Sequence, residues 1–296
     1  MRDIYSNRFY RIRSQLTQTC IHVLFALVGL ACILPLLLIL SSSFSEEADI
    51  ARYGYPLVPR HWTTFAYEYI LKVPSQILRS YGVTTFVTVV GSAIGLLLMS
   101  LLAYALSRSR FKYRKQLSFY VFFTMLFNGG LIPWYIWVTQ GLHLKDKVEA
   151  LILPYLIVPW FVLLLRTYFA QLPEELLDSA RVDGAGEWRI FFQFVVPLST
   201  PPLATVGLFC ILMYWNDWWL ALLFINEPKL QPLQYMLYTI LTNARAMAAN
   251  PMTTGMSTPI ATVRMAMAVL ATGPAALAFL LVQRYFIKGI TVGALK

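Results

Sequence analysis

The sequence predicts an all-helical integral membrane protein, and three observations carry that class. Of 296 residues, 58% are hydrophobic and only 13% charged, against about 25% charged in an ordinary soluble domain. Six segments approach the roughly 20 apolar residues that a helix needs to cross the hydrocarbon: Cys20–Leu40, Tyr81–Leu106, Leu117–Val138, Leu151–Ala170, Leu203–Ile225 and Val263–Ile287. No stretch alternates polar and apolar residues between hairpin turns, which sets a transmembrane barrel aside. One membrane domain over residues 20–287 follows, flanked by tails at 1–19 and 288–296. The third and fifth segments are less clean, because Asn128, Asn216 and Asp217 lie inside them.

The first segment follows arginines, yet no short apolar region ends there in a small-residue cleavage site. It reads as a retained first span and not as a removed signal peptide. Orientation comes from where Lys and Arg gather at span ends. The N-terminal tail holds Arg2, Arg8, Arg11 and Arg13, and the connection SRSRFKYRK holds Arg108, Arg110, Lys112, Arg114 and Lys115. Arg284, Lys288 and Lys296 lie at the other terminus. Both termini are therefore expected in the cytoplasm. The connections 41–80, 139–150 and 226–262 are then outside, and 107–116 and 171–202 inside. Most of the net charge of +10 is topology, so nucleic acid is not an expected partner; the bilayer is.

Cys20, Cys32 and Cys210 lie far apart in apolar runs with no metal-ligand spacing. They are expected to be buried, inert thiols. Three scattered histidines form no cluster with cysteines or carboxylates, so neither a metal site nor catalytic residues are expected, and a membrane-embedded enzyme is disfavoured.

The connection 171–202 is more polar and more folded than a linker requires. Pro173 suits the first turn of a helix, and Glu174, Glu175 and Asp178 favour its positive end. Leu176, Leu177 and Ala180 give that helix one narrow apolar face. Asp183-Gly184 reads as a stop, with Gly184 free to take the left-handed conformation. In a second short helix Trp188, Phe191 and Val195 form another apolar face, ended by Pro197. A helix, a tight turn and a helix result. DNA binding fails, because the first helix is acidic and both ends are tied into membrane. An amphipathic connector lying on the bilayer and a docking element for a cytoplasmic partner both remain open on the residues alone.

In this segment Asp178-Ser179-Ala180 and Asp183-Gly184-Ala185, with Pro197 after them, resemble the EAA loop of binding-protein-dependent ABC importers. That pattern runs Glu-Ala-Ala, then Asp-Gly-Ala, then a proline. Asp178 and Ser179 depart from it while keeping a carboxylate and a small residue, which puts any glutamate-specific contact in doubt. AYALSRSRF (residues 103–111) resembles the inner end of that family's second span. RHWTTFAY (60–67) and KGITVGALK (288–296) resemble stretches of the maltose-type carbohydrate permeases, and NGGLIPWY (128–135) resembles a subgroup that handles larger or modified saccharides. The resemblance spans nearly the whole chain.

It implies a six-span permease of a bacterial cytoplasmic membrane, paired with a second permease subunit. It implies two copies of a separate ATPase and an extracytoplasmic solute-binding protein that delivers an oligosaccharide, large or acidic ones such as alginate-type polyuronates included. The chain has no GxxxxGK[ST] phosphate loop, so this chain is expected to bind no cofactor, ATP and Mg belonging to the partner ATPase. Glu174, Glu175, Asp178, Ser179, Ala180, Asp183, Gly184 and Ala185 are the ATPase-coupling residues this implies. The connection 226–262, whose composition alone says flexible loop, would reach the binding protein.

For the substrate path, YWNDWW in the fifth segment places Trp215, Asn216, Asp217, Trp218 and Trp219 together. An ionisable Asp217 at that depth needs a cavity or a partner, and aromatic faces beside amides and carboxylates suit sugars. An interfacial aromatic belt is the plainer alternative. Asn128 with Gly129 and Gly130 either breaks a helix along the path or lets helices pack closely, and packing is preferred. Arg264 is expected to snorkel to the interface. The competing functions are a non-sugar solute moved by the same coupling and a secondary transporter, which would show paired broken helices.

Overall fold

The computed structural model describes residues 2–72, 74–248 and 260–293, with side chains for 17–72, 74–246 and 260–276. Among these residues every regular element is a helix, and one isolated antiparallel bridge pairs Ser45 with Trp62. α1 (Arg2–Ser43), α2 (Glu47–Tyr53) and α3 (Phe65–Ile70) precede α4 (Pro74–Ser107). α5 (Arg114–Leu126), α6 (Leu131–Ile136), α7 (Glu149–Ile152) and α8 (Pro159–Phe169) follow. Next come the short α9 (Glu174–Val182), α10 (Glu187–Ile190) and α11 (Val196–Leu198). α12 (Thr200–Trp215), α13 (Trp219–Phe224), α14 (Leu233–Ala248) and α15 (Ile260–Gly293) complete the order.

Two uninterrupted stretches, Thr17–Ser43 and Pro74–Ser107, are long and apolar enough to cross a membrane, or up to five crossings if each bent helix pair is one. The third, fourth and fifth segments are broken helices. α5 and the helix from Leu131 to Gly141 meet at 112°. The Asn128 side-chain oxygen accepts the Gly130 N–H at 2.8 Å there, and Gly130 takes φ +90°. A Cβ at Gly129 would meet nothing within 4 Å, so the preferred close-packing role is replaced by a helix break. Glu149–Tyr155 and Pro159–Phe169 bend by 47°, where Pro159 opens α8 without needing a donor. α12 stops at Trp215 and α13 restarts at Trp219.

The chain divides into two compact units, Met1–Lys72 with Asn243–Leu270, and Val73–Thr242 with Ala271–Lys296. In the first, the apolar side chains of α1 from Ile21 to Leu37 are exposed. Cys20 and Cys32 are exposed with them, while Cys210 in α12 is buried. The expectation of three buried thiols therefore holds for Cys210 alone; an apolar run does not distinguish a lipid-facing helix from a core one. After α1 the chain turns tightly. Phe44 packs on Trp62 and Tyr67 with ring centroids 6.1 and 5.0 Å away, and the Asp49 carboxylate meets His61 Nδ1 at 2.9 Å. The Glu47 carboxylate accepts the Ala261 and Thr262 N–H groups and the Thr262 hydroxyl, each at 2.9 Å. It thereby caps the first turn of α15, whose free N–H groups and positive dipole end favour an anion.

The second unit is organised along α4, which packs against α12 and α8. Small residues allow the approach, as helix contacts in a bilayer require. A Cβ on Gly91 would lie 2.6 Å from Tyr214 Cζ, and the Tyr214 hydroxyl donates to the Ile152 carbonyl at 2.8 Å. Toward the α4 C-terminus, Met99, Ala103 and Leu106 pack with Val162, Leu165, Phe169, Leu177, Ile190, Phe191 and Cys210. Toward its N-terminus, Val87 packs with Ile152, Tyr214, Leu220 and Phe224.

Two loops are more ordered than their composition suggests. The Asp146 carboxylate accepts the backbone N–H of Glu227 at 3.0 Å and that of Asn226. These backbone bonds, from Asn226 foremost, hold its pKa below the usual carboxylate range. The stretch read as a flexible loop at 226–262 contains the 16-residue α14, because Leu233, Met236 and Leu237 are buried at helical spacing.

The Gly91 contact gives a test. Gly91→Ala is expected to lower thermal stability by about 1–3 kcal/mol through overpacking against Tyr214. Gly82→Ala, in the same helix with nothing within 4 Å, should leave it unchanged or raise it by about 0.5–1 kcal/mol. Melting of the purified variants in one detergent measures the difference.

Candidate functional site

The segment after α8 is built from two short helices pinned to the end of α4. Pro173 precedes α9, and Glu174 and Glu175 fill its first turn. At its far end the Ala185 N–H reaches the Ala180 carbonyl at 2.9 Å and the Gly184 N–H reaches Arg181 at 3.0 Å. Gly184 lies at φ +79°. This pair of bonds around a left-handed residue is the Schellman helix stop, the physical content of the Asp183-Gly184-Ala185 motif. α10 begins at Glu187 and runs through a π-helical turn, Phe191–Val195, into α11.

Charged groups then fix the angle between the helices. Arg181 donates to Asp178 Oδ1 at 2.6 Å and to Glu187 Oε1 at 3.0 Å. The Tyr104 hydroxyl of α4 donates to Glu187 Oε2 at 2.6 Å, and Arg110 donates to Asp178 Oδ2 at 3.1 Å. The Ser109 hydroxyl donates to Glu174 at 3.1 Å. Partial burial pushes the Glu187 pKa up, but the hydrogen bonds from Tyr104 and Arg181 outweigh it and the net direction is down. The bond to Glu187 raises Arg181 in turn.

The eight residues singled out here fall into two sets. Ala180 is buried and Ala185 packs on the core beside it, while Glu174 and Asp178 are tied to the α4–α5 connection. Glu175, Ser179, Asp183 and Gly184 are exposed, and so are Leu176 and Val182, the latter 88% exposed. Two expectations for the apolar faces are corrected. Leu176 points away from the face that buries Leu177, one helical step of 100° apart. Trp188 is 67% exposed and stacks on Phe192 at 6.2 Å, while Phe191 and Val195 enter the core. Arg181, Glu187 and Val182 were not singled out from the sequence, and Arg110 only as a charge that sets the topology. The signal present was the spacing of Asp178, Arg181 and Glu187 across the turn.

The Trp215–Trp219 stretch is a helix junction. Asp217 accepts the Tyr155 hydroxyl at 3.0 Å through Oδ1 and the Leu220 N–H at 3.2 Å through Oδ2. It therefore has the partners that a carboxylate largely removed from solvent requires and also starts α13. Trp215 is buried and donates through Nε1 to the Ala271 carbonyl at 2.9 Å. Asn216, Trp218 and Trp219 are exposed. Trp218 stacks on Tyr238 at 4.9 Å, and Asn216 accepts Gln234 Nε2 at 3.3 Å. Gln234 and Tyr238, four apart on α14, extend this aromatic and amide surface; reading their stretch as a loop hid their spacing. Asn128 hydrogen-bonds within its own turn and no described bond joins it to this surface. Arg264 is exposed on α15. One group with metal-ligand spacing exists among the described residues, Glu46, Asp49 and His61, with ligand atoms within 4.8 Å of one another; the Asp49–His61 hydrogen bond accounts for it.

The family described as "Binding-protein-dependent transport system inner membrane component" matches residues 4–292. Protein LplC of Bacillus subtilis (strain 168) is 39% identical over 271 residues, 91% of either chain. The polygalacturonan/rhamnogalacturonan transport system permease protein YtcP of the same organism is 36% identical over 96% of this chain and 100% of its own. A chain in the crystal structure of a bacterial ABC transporter involved in the import of the acidic polysaccharide alginate superimposes with a TM-score of 0.78 at 28% identity, over 92% of this chain and 97% of that one. The chain belongs to the family of binding-protein-dependent transport system inner membrane components.

Proposed function

We propose that this chain is a six-crossing permease subunit of an ABC importer for oligosaccharides, with uronic-acid-rich fragments as the substrate class. In this reading it is not itself an enzyme. It pairs with a second permease, receives sugar from an extracytoplasmic binding protein, and is driven by an ATPase dimer that holds ATP and Mg. Both termini and the 171–202 segment face the cytoplasm of a bacterial inner membrane. The observation that carries the reading is the capped α9, braced by Asp178, Arg181 and Glu187 against Tyr104 and Arg110 at the end of α4. A partner that grips the exposed face of Glu175, Leu176, Ser179, Val182 and Asp183 would move α4 with it, which is what coupling needs. The bracing also gives Asp178 a reason to be the shorter acid: it serves Arg181 and Arg110 within the chain.

Acidic sugars are favoured by relatives whose names specify polygalacturonan and rhamnogalacturonan or alginate. The exposed Trp218–Tyr238 stack with Asn216 and Gln234 supplies ring faces and amides for a saccharide. Trp215 and Asp217 then act as positioning groups behind that surface, and Asn128 shapes the break before α6.

Sugar-stimulated ATPase activity of the complete transporter in proteoliposomes, measured with oligogalacturonate, oligoalginate and maltooligosaccharides, tests the class. Stimulation by maltooligosaccharides alone would overturn it. Gly184→Val, which forces a β-branched residue into the left-handed region at a cost of about 1–2 kcal/mol, should leave assembly intact and reduce stimulated turnover more than about tenfold. Normal turnover in a verified complex defeats the coupling role. Trp218→Ala and Tyr238→Ala are expected to raise the half-saturating sugar concentration about tenfold, the loss of one stacking contact of ~1 kcal/mol and its buried area, with basal ATPase unchanged. Unaltered half-saturation in both would reduce the surface to an interfacial belt.

A further inference from the structure

Beside the α9–α10 turn, a groove of about 590 Å³ opens along the last turns of α4. Its wall is apolar, formed by Leu101, Ala105, Phe111, Trp188 and Phe191. Trp188 leaves its indole 67% exposed there, a side chain that favours the boundary between lipid and water. Arg108, Arg110 and Arg181 face one carboxylate in the lining, Glu187.

Two of these arginines are answered by acids: Arg110 by Asp178, and Arg181 by Asp178 and Glu187. Arg108 differs. It is only 8% exposed, and it donates to the Ser107 hydroxyl and the Phe169 carbonyl while standing 5.3 Å over the Tyr104 ring. None of these partners is an anion. Glu174 and Glu187 act on it through space, but among the described residues no carboxylate oxygen lies within 4.0 Å of its guanidinium. A buried cation held apart from its acids gains from an anion placed in direct contact.

An apolar wall, an exposed indole and a buried guanidinium with no carboxylate in direct contact, at the end of a 34-residue apolar helix, select an amphiphile. We propose that the groove holds one phospholipid with an anionic headgroup. Its phosphate lies against Arg108 and its acyl chains lie on Leu101, Phe111 and Trp188. Basic pockets at span ends bind anionic headgroups in this way. A soluble phosphoester would complete the charge but leave the apolar wall in water. The inference does not depend on which solute is carried, so transport assays on the saccharide surface and lipid binding fail independently.

The test is native mass spectrometry of the full-length chain released from nanodiscs of equimolar phosphatidylglycerol and phosphatidylcholine. One phosphatidylglycerol should stay bound per chain in preference to phosphatidylcholine. Arg108→Gln, and Ala105→Phe, which fills the groove without touching charge, should each cut retention about fivefold or more. Lys112→Gln removes the same charge at an exposed site outside the groove and should leave retention unchanged. Helicity and melting establish that the variants fold, and Ala105→Phe decides the matter if Arg108→Gln does not. Equal retention of both lipids, retention unaffected by Ala105→Phe, a loss in Lys112→Gln matching that in Arg108→Gln, or displacement by millimolar glycerol phosphate each overturns the proposal.

Discussion

Arg181 stands between two carboxylates, Asp178 on its own helix and Glu187 across the turn, and the geometry of the 171–202 segment depends on that bridge. Its energy is modest. The partners are partly exposed, and pairs of that kind contribute about 0–1 kcal/mol each. The stabilising term is the burial of Leu177, Ile190 and Phe191, all essentially inaccessible and each contributing about 1.5–3 kcal/mol. Apolar burial is non-directional, however, and leaves two short helices free to rock about the Gly184 turn. The bridge, with Tyr104 and Arg110, removes that freedom and joins α9 to α4 as one body. Packing decides that the segment folds; the polar contacts decide at what angle.

Helix breaks follow the same division. In hydrocarbon every freed backbone group needs a partner inside the protein. Asn128 meets that need for Gly130, and Asp217 for Leu220. Residues that look like polar intrusions into apolar spans are the groups that make the interruptions possible. Broken helices were the mark expected of a secondary transporter, yet the family match places this chain among binding-protein-dependent systems. A bent span reports how backbone polarity is satisfied and does not report the source of energy.

The membrane class, the first, second and sixth apolar segments and the helix-turn-helix around Gly184 were legible in the sequence, because each rests on local chemistry: run length, a proline start, a left-handed stop. What was not legible rests on facing. Apolarity alone did not separate Leu176 from Leu177, or Trp188 from Phe191, since lipid, partner and core all accept the same side chains. α14 was missed because Ala, Thr and Asn dilute an apolar spacing of only three or four residues. The relation of Tyr155, Gln234 and Tyr238 to the Trp218 surface is tertiary, and no motif encodes it. The EAA-like residues were found by pattern, whereas their division into inward braces and an outward face required the fold.

Glu47 closes a contact across 215 positions, from the turn after the first helix to the first turn of the last. During synthesis its carboxylate waits without those three donors until nearly the whole chain has been made. The N-terminus of α15, correspondingly, has no such anion until it reaches that turn. Completion of the first unit is therefore a late event in biogenesis. A chain interrupted before residue 260 leaves the Glu47 carboxylate to water and the first unit without its longest-range closure.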